Sequence, residues 1–185
     1  MNYDKLDNEE LLRLALGAMN DNRDADSVVM LKALLERDPG HVQAQYLLAA
    51  QHAQIGMFDR AEAGFRSVVA KAPELPTARF QLAQLLLMKG ALGEARQLLA
   101  PVSSQSDALG AYARALSAMG NEDMPTAMTE LETGLAQPQA IPALAADMQR
   151  LLGQWRQAGM TSADVIASPS PAASPMFLSG YGRDS

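Results

Sequence analysis

Two blocks of this sequence repeat each other at a spacing of 34 residues. In that register Leu48 aligns with Leu82, and Gly56 aligns with Gly90. A period of this length is typical of stacked helical hairpins, because one hairpin cannot bury its own apolar face and must pack against its neighbours. The repeat therefore predicts an all-α solenoid.

Each recurring residue type has a physical reason in such a hairpin. Gly56 and Gly90 fall where a first helix must end in left-handed backbone, which glycine adopts at little cost. Ala61 and Ala95 are small where the two helices of a hairpin cross closely. Pro73 follows a second helix and cannot continue it. The pattern predicts helix, turn and helix in each unit.

The residues that carry the motif in the better-preserved block are Leu48, Ala49, Gly56, Ala61, Phe65 and Pro73. With these residues at this spacing the chain resembles the tetratricopeptide repeat family. The resemblance covers about residues 8 to 138 and implies about four hairpins. A generic helical bundle with a coincidental spacing is the alternative.

The outer units depart from the motif. Asn22 stands where the upstream turn glycine is expected, and asparagine also tolerates left-handed backbone. Downstream, Gly120 aligns with the turn glycines, which leaves Ala127 two residues late and predicts a long turn over 121–125. The fourth unit is therefore predicted to be degenerate. The early Pro101 predicts a short second helix in the third unit.

Capping signals give the helix boundaries at both ends. Asp7 with Glu10 three residues on predicts a first helix that runs to about Met19, and the next helix begins near Asp24 or Asp26. A last helix is predicted from residue 142, with one apolar and one polar face, as a cap on the final repeat. Its apolar residues are Leu144, Met148, Leu151, Leu152 and Trp155. Its polar residues are Gln149, Arg150, Gln154, Arg156 and Gln157.

The sequence divides into a repeat domain over residues 1–160 and a tail over residues 161–185. The tail is rich in proline, serine and alanine, which predicts a disordered linker. Its apolar tip contains Phe177, Leu178 and Tyr181, and we interpret it as a short docking motif for a partner or for the chain's own groove. An incidental tail is the alternative.

Composition excludes several classes of function. The chain of 185 residues has a net charge of -6 and a pI near 4.9, which opposes binding to nucleic acid. It has no cysteine, so disulfides and thiol chemistry are excluded. No apolar run approaches the length of a bilayer span, and the first residues lack the pattern of a secretory signal. We expect a cytoplasmic bacterial protein without direct membrane insertion.

No constellation of residues predicts catalysis, a cofactor or a metal. His41 and His52 have no partner at a recurrent ligand spacing. Gly180 and Gly182 lack the third glycine of a phosphate-binding loop. The acidic cluster at 21–26 lacks the glycine and the final glutamate of a calcium loop, so we interpret it as a solvated turn and helix cap.

The resemblance implies that the first helices of the hairpins line a concave groove that binds a protein segment. Tyr46 and Phe80 are equally well explained as core between repeats, and the groove lacks the basic residues of a carboxylate clamp. The residues predicted to contact a partner are Gln43, Tyr46, Ala50, Thr77, Phe80, Gln84, Leu87 and Arg114 on the repeats and Phe177, Leu178 and Tyr181 on the tail.

The function that these features predict is non-catalytic binding of a protein or peptide segment, as an adaptor or chaperone. A structural subunit of a larger bacterial secretion, pilus or envelope assembly is the alternative, because a subunit would use the same surfaces permanently. A hydrolytic or metal enzyme is disfavoured.

Overall fold

A computed structural model of the chain describes residues 5–157, which form nine helices and contain no strand. The helices are α1 (Asn8–Asn20), α2 (Asp24–Arg37), α3 (Val42–Gln54), α4 (Phe58–Lys71), α5 (Pro76–Met88), α6 (Leu92–Ser103), α7 (Ala108–Met119), α8 (Met124–Leu135) and α9 (Pro142–Gln157). This confirms the predicted all-α fold.

The helices pack as successive hairpins. The pairs α1–α2, α3–α4, α5–α6 and α7–α8 make the most extensive contacts, and each second helix then packs against the first helix of the next hairpin. One apolar core runs along the stack, because every hairpin covers the exposed apolar face of the one before it. The predicted solenoid of four hairpins is confirmed.

Each hairpin turns through one residue in left-handed backbone. These residues are Asn22, Gly56, Gly90 and Glu122, with φ of 57°, 78°, 75° and 62°. In every case the amide of the following residue donates a hydrogen bond back into the first helix, as Met57 N does to His52 O at 2.7 Å and Asp123 N does to Ala118 O at 2.9 Å. The four turns are therefore the same structure.

The predicted register of the fourth repeat is wrong. Gly120 has an ordinary helical φ of -65°, and the left-handed position belongs to Glu122, 32 residues after Gly90. Ala127 then follows its turn residue by the same five positions as Ala61 follows Gly56, so the turn is not lengthened. Glycine was an unreliable marker here because exposed glutamate occupies the strained position instead.

The turn residues Gly90 and Glu122 are 32 positions apart, whereas the earlier turn residues are 34 apart. The difference of two residues comes from α6. It has 12 residues, whereas α2 and α4 have 14, and the loops on either side keep the same length. The prediction of a short second helix in the third repeat is therefore confirmed. Pro101 lies inside α6 near its end and does not terminate it.

The second helices bury the same positions in all four repeats. Ala49 on α3 lies so close to Gly64 on α4 that a Cβ on Gly64 would approach the Ala49 Cβ to 2.8 Å. Such contacts hold the helices of a hairpin at a short distance. The recurring buried residues are Ser27, Leu31 and Leu34; Ala61, Phe65 and Val68; Ala95, Leu99 and Val102; and Ala127, Leu131 and Gly134.

Both predicted end structures are present. Asp7 caps α1, and its carboxylate accepts from Glu10 N at 2.8 Å while the Glu10 carboxylate accepts from Asp7 N at 2.9 Å. At the other end α9 packs on α8 and buries Leu144 and Trp155 with the rest of its predicted apolar face. Its predicted polar residues are exposed, so α9 covers the last hairpin and presents a polar surface to solvent.

We expect Ala61→Leu and Ala95→Leu each to lower the free energy of unfolding by about 1 to 3 kcal/mol, because both sites are fully buried and added methylenes overpack the hairpin. Denaturation in guanidinium chloride measures the loss. The matched control is Ala63→Leu on the exposed side of α4, which should change stability little. Equal stability of all three variants would contradict the assigned crossings.

We expect Gly90→Ala to cost about 1 to 2 kcal/mol, because its φ of 75° is unfavourable for a residue with a Cβ. Gly93→Ala, in ordinary helix a few residues on, should instead gain about 0.5 to 1 kcal/mol. Glu122→Gly should be stabilising because it relieves left-handed strain. Thermal unfolding of the three variants checks these signs, and a stabilising Gly90→Ala would be incompatible with the turn geometry.

Candidate protein-binding surface

The first helices α3, α5 and α7 carry the residues predicted to line the groove. Gln43 is exposed, whereas Thr77, Leu87 and Arg114 are half-buried. Tyr46, Ala50, Phe80 and Gln84 are buried among the helices. Only part of the predicted set therefore lies at the surface. Phe177, Leu178 and Tyr181 lie outside the described residues.

The aromatic residues of the first helices belong to the core. The Tyr46 ring meets the Phe65 ring edge-on, with centroids 5.8 Å apart, and Phe80 is fully buried. Tyr112 holds the corresponding place in the fourth repeat, where Gly134 leaves room for its ring. Of the two explanations that the sequence left open for Tyr46 and Phe80, their burial favours core.

Arg114 does not correspond to the groove position to which it was assigned. Because the fourth register is set by Glu122, Arg114 aligns with Leu48 and Leu82. Its guanidinium donates to Glu130 Oε2 at 2.8 Å and to the carbonyl oxygens of Ser103 and Gln105 at 3.0 and 3.1 Å. Arg114 therefore ties α7 to α8 and to the end of α6.

Glutamines with unpaired amide atoms mark α3 and α5. Both amide atoms of Gln81 and of Gln84 are buried, and so are the Oε1 atoms of Gln45 and Gln54. None of these atoms has a hydrogen-bond partner among residues 5–157. Gln51 differs, since its Oε1 accepts from the Ser27 hydroxyl at 3.0 Å. A buried amide without a partner costs free energy, so these groups call for an explanation.

Only Gln84 of these unpaired glutamines was singled out from the sequence. The available signal was the position of the residues within otherwise apolar helices, since Gln81 and Gln84 interrupt the run from Phe80 to Leu87. A search for charged or nucleophilic groups overlooks neutral amides, although an amide both donates and accepts hydrogen bonds.

Comparison with known families agrees with this geometry. The family model of the tetratricopeptide repeat matches residues 56–119. This segment belongs to the tetratricopeptide repeat family. The match begins at the left-handed Gly56 and ends with the last residue of α7, so it spans the turn and second helix of the second hairpin, the whole third hairpin and the first helix of the fourth. No curated protein matches the chain.

A network of charges joins the second and third tetratricopeptide repeats. Arg66 on α4 pairs with Glu62 at 2.8 Å and reaches Glu94 on α6. Lys89 directly follows α5, and its Nζ atom lies 2.7 Å from Asp59 Oδ1 and 2.7 Å from Glu62 Oε2. Lys89 and Arg66 lower the pKa of Glu62 because they donate hydrogen bonds to its carboxylate. The network holds the two repeats together on the side of the second helices.

His52 is a buried titratable group in the second tetratricopeptide repeat. Within the described part of the chain its Nε2 atom has no hydrogen-bond partner. Burial lowers the pKa of His52, helped by the positive charges of Lys32 on α2 and Arg60 on α4. The imidazole is therefore held neutral in the core.

Small-molecule and membrane features are limited in the described part of the chain. A cleft between the third and fourth repeats has a volume of about 10 Å³, which is enough for roughly one water molecule. No cluster of three or more metal-ligating side chains occurs within residues 5–157. Among the helices of that range, none is long and apolar enough to cross a bilayer.

We expect the free energy of unfolding to fall as the pH drops below about 6.5, because the unfolded chain then binds a proton that folded His52 does not accept. The loss should level off below the lowered pKa of the folded state. His52→Phe, which keeps an aromatic ring, should remove this loss, whereas His41→Asn should retain it. Urea denaturation between pH 5 and pH 8 measures the free energy of unfolding of each variant. If that free energy depends on pH in His52→Phe as it does in the wild type, the assignment to His52 is wrong.

Proposed function

We propose that this protein is a non-catalytic adaptor or chaperone of the bacterial cytoplasm that holds a protein segment along its first helices. Tetratricopeptide repeats are in general protein–protein interaction modules, and this chain stacks four helical hairpins of that kind with a cap at the end. The observation that carries the proposal is the set of unpaired glutamine amides on α3 and α5.

A peptide backbone is the ligand that these amides match. Each amide offers both a donor and an acceptor, and an extended segment presents the same two groups along its length. Gln81 and Gln84 lie on one helix, and Gln54 lies at the end of the neighbouring first helix. We infer that a bound segment displaces the side chains that cover these amides and completes their hydrogen bonds.

The surface beside the glutamines is mixed in character. Gln43 is exposed, and Thr77 and Leu87 are half-buried. Apolar groups supply area while polar groups fix the register of a segment, which is the usual division of labour in a peptide site. We propose that these three residues form the accessible rim of the site, with the glutamines beneath it.

Gln81→Leu and Gln84→Leu should each raise the free energy of unfolding by about 1 kcal/mol, because leucine of similar size removes two unpaired buried polar atoms. The control is Gln97→Leu on the exposed side of α6, which should leave stability unchanged. Chemical denaturation gives the comparison. A loss of stability in the α5 variants would show that the amides already have partners in the folded protein.

Binding is tested with segments selected from a displayed library of random peptides on the wild-type protein. Fluorescence anisotropy should show affinities at least tenfold weaker for the double variant Gln81→Leu, Gln84→Leu than for Gln97→Leu. Equal affinities, or selection of no peptide, would overturn the proposed site. A native partner that co-purifies at fixed stoichiometry and never exchanges would instead make the chain a permanent subunit of an assembly.

A further inference from the structure

An apolar patch lies at the hairpin turns of the two middle repeats. Ile55 and Met57 flank the second turn, and Met88 and Leu92 flank the third. Their side chains are large, and the residues keep 42 %, 43 %, 43 % and 37 % of their surface exposed. We call these four residues the turn patch.

The two turns of the patch are adjacent in space. Lys89, which follows Met88, reaches across to Asp59 and Glu62 at the start of α4 with contacts of 2.7 Å. The two turns therefore lie on the same edge of the solenoid. A shallow cleft lined by Leu92, Leu99 and Leu116 continues from the patch towards the fourth repeat.

The outer turns lack this character. Asp21 and Arg23 surround the first turn, and Asn121 and Asp123 surround the last. All four are exposed and polar, as turns in contact with water usually are. These four residues hold the positions of Ile55 and Met57, and in the first turn Asn20 and Asp24 hold those of Met88 and Leu92. The apolar residues at the middle turns are therefore not a requirement of the turn itself, since the first turn forms the same backbone with polar neighbours.

The size of the patch limits what can cover it. Four partly exposed side chains make up an apolar area on the order of a few hundred Å². A stable dimer needs about 1,200 to 2,000 Å² of buried surface in total, so a second copy docked on this patch alone would be held weakly. A segment tethered to the same chain needs far less contact, because its effective concentration is on the order of mM.

The sequence supplies such a segment. Met176, Phe177 and Leu178 form its apolar start, and the residues between Gln157 and Met176 are rich in proline, alanine and serine. A linker of this length spans about 20 to 25 Å on average and more than twice that when extended. The turn patch lies on α3 to α6, a few helix layers of about 10 Å each from α9. The segment can therefore reach it.

We propose that the turn patch is the docking surface for the apolar segment at residues 176–181 of the same chain. Docking removes the apolar surface of both the segment and the patch from water. Because the tether keeps the segment at a high effective concentration, a weak contact is sufficient. This site lies on the turn edge of the solenoid and adjoins the proposed rim at Leu87, which lines the same cleft as Leu92. The remaining rim residues, Gln43 and Thr77, lie at the opposite ends of α3 and α5.

The absence of cysteine allows a direct test on the full chain. A nitroxide label on Ser179→Cys should broaden the methyl signals of Met57 and Met88 at least twofold more than that of Met30 on α2. Mixing labelled protein with isotope-labelled protein that lacks the nitroxide should abolish the broadening, because the contact is intramolecular. Broadening that persists in the mixture means docking on a second copy and overturns the proposal.

Substitutions on the patch identify the surface. Met88→Gln with Leu92→Gln should remove the broadening at Met57, whereas the matched pair Leu14→Gln with Val29→Gln, also exposed apolar residues, should keep it. Uniform broadening over all methionines, or strongest broadening at methyl groups of Leu12 and Leu16 on α1, would overturn the assignment. Peptide affinity of the groove is measured in the same samples, so a failure of one site is distinguished from a failure of the other.

Discussion

The fold depends on one backbone conformation that recurs four times. A single left-handed residue ends each first helix, and the hydrogen bond made by the next amide directs the chain into the second helix. Because the turn is fixed, the residues five, nine and twelve positions after the left-handed residue are buried in every hairpin. Stacking then follows, since each hairpin leaves one apolar face for its neighbour to cover.

Polar groups inside this core divide into two kinds. Some hold the structure together, as the Ser27 hydroxyl does with Gln51 and as Arg114 does with Glu130. Others, such as the Gln81 and Gln84 amides, have no partner among the described residues, and we expect them to lower the free energy of unfolding. Residues of the second kind are informative about function because stability alone would not select them.

Most of the fold could be predicted from the sequence, since turn residues, small residues and caps each follow from local physics. Asp7 and Glu10 predicted the start of α1, and Pro101 predicted a short α6. The register of the fourth repeat could not be predicted from Gly120, because exposed Glu122 tolerates the strained conformation. Exposure was the hardest property to predict, because repeat position alone did not distinguish the buried rings of Tyr46 and Phe80 from groove residues.

The shortening of α6 has a consequence for how the repeats can be exchanged. Two residues amount to about 3 Å of helix and a little more than half a turn, so α7 meets α6 in a phase that no other junction shares. A hairpin copied from the first or second repeat would bring a second helix that is two residues longer, and we expect it to displace α7 from its place beside α6. The third and fourth hairpins therefore form a matched pair, and the order of units in this solenoid is fixed by helix length as well as by side-chain fit.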